Sequence, residues 1–131
     1  MLLTPPTDCD MTRASYVQNV DGYFPTTSFL RWCWDHYADP AERPKASPLR
    51  ASDLSYLPPA FVVTCEFDPM RDEGVAYAQA MAAAGVLVRQ MTARGHTHGS
   101  LTMVDVVVSG EGTRAEMASA LRQFFKAAVP A

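Results

Sequence analysis

The pattern of hydrophobic and polar positions predicts two buried strands joined by a helix. Residues 60–67, AFVVTCEF, are almost uninterruptedly apolar and β-branched, which is typical of a strand buried on both faces of a parallel sheet. Small and apolar residues then recur at helical spacing over 73–84, and a second strand is expected over 86–93. Residues 1–3 resemble the end of another buried strand. The predicted fold class is therefore α/β, with parallel strands flanked by helices.

A helix is predicted over residues 28–38, with Thr27 or Ser28 as its N-cap. We expect this helix to pack through its aromatic side and Trp32 also to be a packing residue. The prediction rests on four side chains at the helical spacing i, i+3, i+4, i+7, namely Leu30, Cys33, Trp34 and Tyr37.

The last helix is predicted over residues 114–127, because Thr113 followed by Glu116 has the pattern of a capping box. Residues 4–27 and 40–59 are rich in proline and small polar residues, without steady periodicity. Both stretches are therefore predicted as long loops.

Composition and charge narrow the classes of function. A chain of 131 residues with 48% hydrophobic and 19% charged residues is expected to form one compact domain. Its net charge of −3, without a basic stripe, gives no reason to expect nucleic acid as a partner. The apolar stretches are shorter than the roughly 20 residues of a membrane span, and the start does not have the pattern of a signal peptide.

The cysteines indicate a reducing compartment. The chain has an odd number of cysteines, Cys9, Cys33 and Cys65, and none of them forms a CxxC pair. We therefore expect reduced thiols in a cytoplasmic protein. Cys65 lies within the first predicted strand, where a cysteine acts as a small hydrophobic residue.

Two polar loops follow the predicted strands, DPMRDEG at 68–74 and RGHTHG at 94–99. The carboxyl ends of neighbouring strands in an open α/β sheet are where sites form. An aspartate after one strand and a histidine after the next can meet there, and such a pair is the orienting half of a nucleophile-activating triad. For an aspartate and a histidine chosen at random, however, the more frequent roles are to form a turn and to occupy a polar loop.

These loops carry a more specific resemblance. FVVTCEFDPMRDEG followed by RGHTHG resembles the closing part of the hormone-sensitive-lipase-like family of bacterial esterases and lipases, whose patterns are close to VTAEYDPLRDEG and YxGxxHGF. The stretches SYVQNVDGYFPTT, WCWDHYADPAERPKASPLRA and DLSYLPPAFVVT resemble that family in order and spacing. The resemblance implies the C-terminal portion of an α/β-hydrolase fold, with residues 1–131 as a single partial domain.

The resemblance also implies roles for individual residues. Asp68 matches the catalytic acid of the family and His98 its catalytic base, while Asp72 matches a helix-capping residue. For 101–107, which by propensity alone is a strand, the resemblance implies a short helix or an irregular segment.

Two motifs of the family are not found in these residues. The GxSxG nucleophile elbow and the HGGG-like oxyanion loop do not occur in the sequence, and Ser109 in VSGEG has its glycines at the wrong offsets, so it is interpreted as a loop serine.

The predicted function is therefore to supply the acid and the base of a carboxylic ester hydrolase, and the chain is expected to be inactive alone. The expected partners are a small acyl ester, if an N-terminal half completes the site, and a complementing hydrolase fragment. The alternative is a non-catalytic remnant that acts as an interaction or homodimerisation module.

Other candidates carry weaker signals. His96 and His98 form an H-x-H pair, with Asp68 and Cys65 as the candidates for a third metal ligand. Spacing does not fix that third ligand, so neither a metal nor a cofactor is expected. Ser100 stands where the family has an aromatic residue, which implies a more open pocket. Three residues of the first long loop either border a substrate pocket or serve turns and packing, namely Tyr16, Asn19 and Tyr23.

Overall fold

The computed structural model describes residues 1–128 and contains a parallel three-stranded sheet in the order β1-β2-β3. The strands are β1 (Leu2–Leu3), β2 (Ala60–Phe67) and β3 (Val88–Thr97). Strand β2 lies between the other two, and its first six residues are buried. The predicted α/β class and the predicted bounds of β2 are confirmed, because a strand covered on both faces needs an unbroken apolar run.

Strand β3 starts later and ends later than the predicted 86–93. Cys65 pairs with Ala93, but Phe67 pairs with Thr97, so three residues of β3 lie opposite one residue of β2. The bulge is stabilised by Gly95, which has a φ of 75° and donates its N–H to Glu66 Oε2 at 2.7 Å. Strand β3 therefore continues beyond the end of the apolar pattern and includes the polar residues that follow it.

In the described part of the chain, four α-helices accompany the sheet: α1 (Ala14–Gln18), α2 (Thr27–Tyr37), α3 (Arg71–Ala83) and α4 (Glu111–Ala128). Helix α3 connects β2 to β3, as predicted. Its buried face contains Gly74, Tyr77, Ala78 and Met81. None of the helices within residues 1–128 combines the length and apolar character needed to cross a membrane.

The core consists of two layers, one on each face of the sheet. Alternate residues of β2 supply them, because successive side chains of a strand point to opposite faces. On one face Val62 packs with Tyr77, Ala78 and Met81 of α3. On the other face the buried cluster is Phe61, Val63, Cys65, Ala93, Leu101, Met117 and Ala120.

Helix α2 begins with a different cap from the one predicted. Its N-cap is Thr26, which has an extended backbone and accepts the N–H of Phe29 at 3.2 Å through its hydroxyl. Thr27 and Ser28 are therefore not the cap, and Thr27 is the first helical residue.

The predicted packing of α2 through its aromatic side holds only in part, because Leu30 is buried and Cys33 and Trp34 are half-buried, whereas Tyr37 is exposed. The helix buries Thr27 and Leu30, whereas Trp32 is 55% and Tyr37 is 72% exposed. The Trp32 ring instead lies over His36, with the ring centroids 4.2 Å apart. Periodicity identified an apolar stripe but not which part of it meets the core.

The segment before α4 is irregular, as expected for 101–107. Short 3-10 helices at Ser100–Thr102 and Val108–Gly110 are joined by turns. The second runs directly into α4, which places Thr113 and Glu116 inside the helix. The predicted capping box is therefore wrong, and the Glu116 carboxylate forms an ion pair with Arg89 of β3.

Candidate active site

Asp68 and His98 meet at the carboxyl edge of the sheet. Asp68 directly follows β2 and His98 directly follows β3, and these neighbouring strands are parallel. His98 Nδ1 lies 2.9 Å from Asp68 Oδ2. The predicted hydrogen bond between the two side chains is confirmed.

The environment of Asp68 fixes the orientation of its carboxylate. The residue is fully buried, and Oδ1 accepts the backbone N–H of Met70 at 2.9 Å while Oδ2 faces His98. Because a carboxylate only accepts hydrogen bonds, Nδ1 of His98 carries the donated proton. This tautomer leaves the lone pair of Nε2 available to take up a proton.

His98 borders an open cleft of about 780 Å³. Its side chain is 23% exposed, and the Phe24 ring meets the imidazole edge-on with the ring centroids 6.3 Å apart. Apolar side chains from α2 and from the adjacent loops form much of the wall, including Phe29, Leu30 and Met70. The candidate base therefore lies beside a mainly apolar space.

The three loop residues named from the sequence have different surroundings. Tyr16 lines the cleft. Asn19 is buried and donates from Nδ2 to the carbonyl of Asp68 at 3.3 Å. Tyr23 stacks on Phe67 with the ring centroids 5.4 Å apart. Tyr16 thus borders the pocket, while Asn19 and Tyr23 contact the carboxyl end of β2.

Asp72 is a capping residue, but of a neighbouring helix. The N-cap of α3 is Met70, and Asp72 lies in the first turn. Its Oδ2 accepts the N–H of Ser15 in α1 at 2.8 Å, and its Oδ1 accepts from Arg71 Nε at 2.8 Å. The first turn of α3 therefore anchors the N-terminus of α1, a helix within the predicted 4–27 loop.

Sequence reasoning missed the role of Glu73. Glu73 lies in the first turn of α3, and its side chain is fully buried. Oε1 accepts the backbone N–H groups of Thr7 and Asp8 at 2.6 and 3.3 Å, and Oε2 accepts the Tyr16 hydroxyl at 2.8 Å. Burial raises the pKa of Glu73 to about 7. The sequence signal that pointed to Glu73 was its position in the RDEG stretch of the motif at 68–74.

His96 and Ser100 form a separate buried contact. Ser100 Oγ donates to the carbonyl of Thr97 at 2.8 Å and lies 3.1 Å from His96 Nδ1.

Within residues 1–128, no three His, Cys, Asp or Glu side chains come together as a metal ion requires. Burial raises the pKa of the Cys65 thiol to about 12, so that thiol stays protonated. Ser109 is exposed in the 3-10 helix before α4.

Several known proteins are similar to this chain in sequence. Residues 1–102 match a protein family described as alpha/beta hydrolase fold. The chain is 33% identical over 126 residues to ethyl acetate hydrolase of Pseudomonas putida, covering 94% of this chain and 40% of that protein. It is 36% identical over 126 residues to the carboxylic ester hydrolase LipN of Mycobacterium tuberculosis, covering 92% and 33%.

Solved esterase structures are also similar to this chain. The thermostable carboxylesterase EstE1 from a metagenomic library superposes with a TM-score of 0.85 at 34% identity, covering 93% of this chain and 43% of that one. An ester hydrolase from the metagenome of Lake Arreo gives 0.83 at 32% identity, covering 94% and 40%. The chain thus spans less than half the length of these relatives. The match over residues 1–102, together with the shared parallel sheet, shows that the chain belongs to the α/β-hydrolase fold family.

Proposed function

We propose that this chain supplies the acid and the base of a Ser-Asp-His triad in a carboxylic ester hydrolase. The observation that carries the proposal is the hydrogen bond of 2.9 Å between buried Asp68 and His98. The names of the ester hydrolases that match most of the chain support it. The nucleophile and the oxyanion hole would come from an N-terminal portion, since neither motif occurs in residues 1–131.

Each residue has a defined step in this mechanism. His98 Nε2 takes the proton of the serine hydroxyl as the serine oxygen attacks the ester carbonyl. Asp68 stabilises the imidazolium that forms, through the hydrogen bond at Nδ1. The imidazolium then gives its proton to the departing alkoxide, and an acyl-enzyme remains. His98 next takes a proton from water as the water oxygen attacks the acyl carbonyl, and it then gives that proton to the departing serine oxygen, which releases the carboxylic acid and restores the neutral imidazole.

The substrate would be a small ester whose apolar part occupies the cleft beside His98. Phe24, Phe29 and Met70 in the cleft wall favour an apolar acyl or alkyl group. No cofactor or metal enters this mechanism, because proton transfer and nucleophilic attack need only side chains.

Complementation tests the proposal. An N-terminal half of a related esterase, carrying GxSxG and HGGG-like motifs, is co-expressed with this chain and assayed with p-nitrophenyl acetate and butyrate. We expect hydrolysis above that of either part alone. A folded, associated mixture without activity contradicts the proposal. The same half with its nucleophilic serine replaced by alanine is the control.

A second candidate is an interaction or dimerisation module without catalysis. The exposed aromatic side chains of α2, Trp32 and Tyr37 among them, favour it, because clustered apolar surface often marks a protein contact. Its partner would be a second copy of the chain or a complementing hydrolase fragment. Light scattering over a range of concentrations tests homodimer formation, and a monomer at every concentration contradicts it.

We also propose a cytoplasmic protein with neither nucleic acid nor a membrane as its partner. The three cysteines are all free, which suits a reducing compartment, and the net charge of −3 does not favour phosphate backbones. Cell fractionation of the native host tests the location.

A further inference from the structure

Helix α1 holds the turn that carries Asp68. Ser15 Oγ donates to the carbonyl of Pro69 at 2.6 Å, and the Ser15 N–H donates to Asp72 Oδ2 at 2.8 Å. Asn19, the C-cap of α1, donates from Nδ2 to the carbonyl of Asp68 at 3.3 Å. A segment 49 to 57 positions away in the sequence therefore contacts Asp68 and the residues that follow it.

The Ser15 hydroxyl is the central group of this contact. Ser15 is fully buried, and its oxygen accepts the N–H of Asp72 at 3.2 Å while donating to Pro69. The hydroxyl thus uses both its donor and its acceptor. Without it, a carbonyl and an N–H in a buried place each lose a hydrogen-bond partner, which is costly there.

One peptide unit connects this hydroxyl to the carboxylate. The carbonyl oxygen of Pro69 and the N–H of Met70 belong to the same planar peptide group. Ser15 holds the oxygen at one end, and Asp68 Oδ1 accepts the N–H at the other end at 2.9 Å. A rotation of that peptide therefore moves the donor that orients the Asp68 carboxylate.

We propose that Ser15 is a positioning residue for the Asp68–His98 pair. By fixing the peptide between Pro69 and Met70, it fixes the carboxylate whose other oxygen faces His98 Nδ1. The consequence for catalysis rests on the proposed function, whereas the coupling of Ser15 to the imidazole is a property of the chain itself.

The experiment measures the exchange with water of the His98 Nδ1 proton by NMR, in the full chain labelled with nitrogen-15. We expect Ser15→Ala to accelerate this exchange about tenfold, the order expected when a buried polar group loses its partner. The exchange of β2 backbone amides is recorded in the same sample. The matched control is Ser109→Ala, at an exposed serine, which should change the rate by less than about twofold.

The outcomes separate this inference from the proposed function. A purely structural role for Ser15 would leave the ratio of His98 exchange to β2 amide exchange unchanged in Ser15→Ala, and that result overturns the inference alone. Should Ser15→Ala not fold, Ser15→Cys, with a weaker donor, must still accelerate the exchange of the His98 proton relative to the native chain; an unchanged rate overturns the inference. Unchanged exchange in Asp68→Ala would overturn the Asp68–His98 pairing, and with it both the inference and the proposed function.

Discussion

At the scale of single residues, the side chain with the clearest dependence on pH is Glu73. Its carboxyl is fully buried, and burial raises its pKa from 4.5 to about 7. The folded protein therefore holds this proton more tightly than the unfolded chain does. The contribution to stability is complete below about pH 4.5 and is lost as the pH rises through 7.

Glu73→Gln should flatten this dependence, because the amide does not titrate. Between pH 5 and pH 8, we expect the native chain to lose about 2 to 3 kcal/mol of unfolding free energy relative to Glu73→Gln. Urea unfolding at the two pH values measures the difference. Glu111→Gln, at an exposed position, should follow the native chain, and parallel profiles for all three proteins would show that Glu73 does not titrate in this range.

At the scale of elements, helix α3 lies unusually close to β2 where Gly74 faces Thr64. A Cβ at position 74 would come within 2.8 Å of Thr64 Cγ2, so a larger residue cannot fit without movement. Gly74 is thus needed for the close approach of helix and strand, although its helical backbone would suit alanine better.

Gly74→Ala should therefore destabilise the chain, by about 1 to 3 kcal/mol, as overpacking of a core does. Thr64→Ser removes the opposing methyl but keeps the hydroxyl, which lies 2.9 Å from Thr92 Oγ1. In the double variant the loss caused by Gly74→Ala should be much smaller, as a double-mutant cycle measures. Simple additivity of the two changes would mean that the contact is not the cause.

How far an element could be predicted depended on what stabilises it. Strand β2 was predicted with its observed bounds because burial on both faces leaves an unbroken apolar run. Helix α1 was missed because five residues give no periodicity, and contacts from a distant part of the sequence, such as the one between Asp72 and Ser15, hold it. The extra residues of β3 depend on the Glu66 contact of Gly95, which no local pattern contains.

How much of the candidate site could be predicted also depended on which interactions determine it. The edge position of Asp68 and His98 could be predicted because it depends on strand order alone, and the resemblance selected which aspartate and which histidine. The network around Glu73 and Ser15 could not be predicted, because it joins residues more than fifty positions apart.

At the scale of the whole molecule, the isolated chain should have no significant esterase activity. A serine hydrolase that has lost a triad member retains about 10³ to 10⁴-fold acceleration, owing to its oxyanion hole and substrate binding, and the oxyanion motif does not occur in these residues. Turnover of p-nitrophenyl acetate by the purified chain measures this. Turnover above background that His98→Ala abolishes would mean that a serine within the chain, such as Ser100 or Ser109, is a nucleophile.

The central claim is that Asp68 and His98 act as the acid and base of an ester hydrolase. The most direct test is the rate of p-nitrophenyl butyrate hydrolysis by the complemented enzyme carrying Asp68→Asn, compared with His96→Gln as the control at a histidine that contacts Ser100 instead. We expect Asp68→Asn to lower kcat by about 10⁴-fold, because the imidazole loses the partner that sets its tautomer. A complemented enzyme in which Asp68→Asn retains the activity of the His96→Gln control would contradict the account.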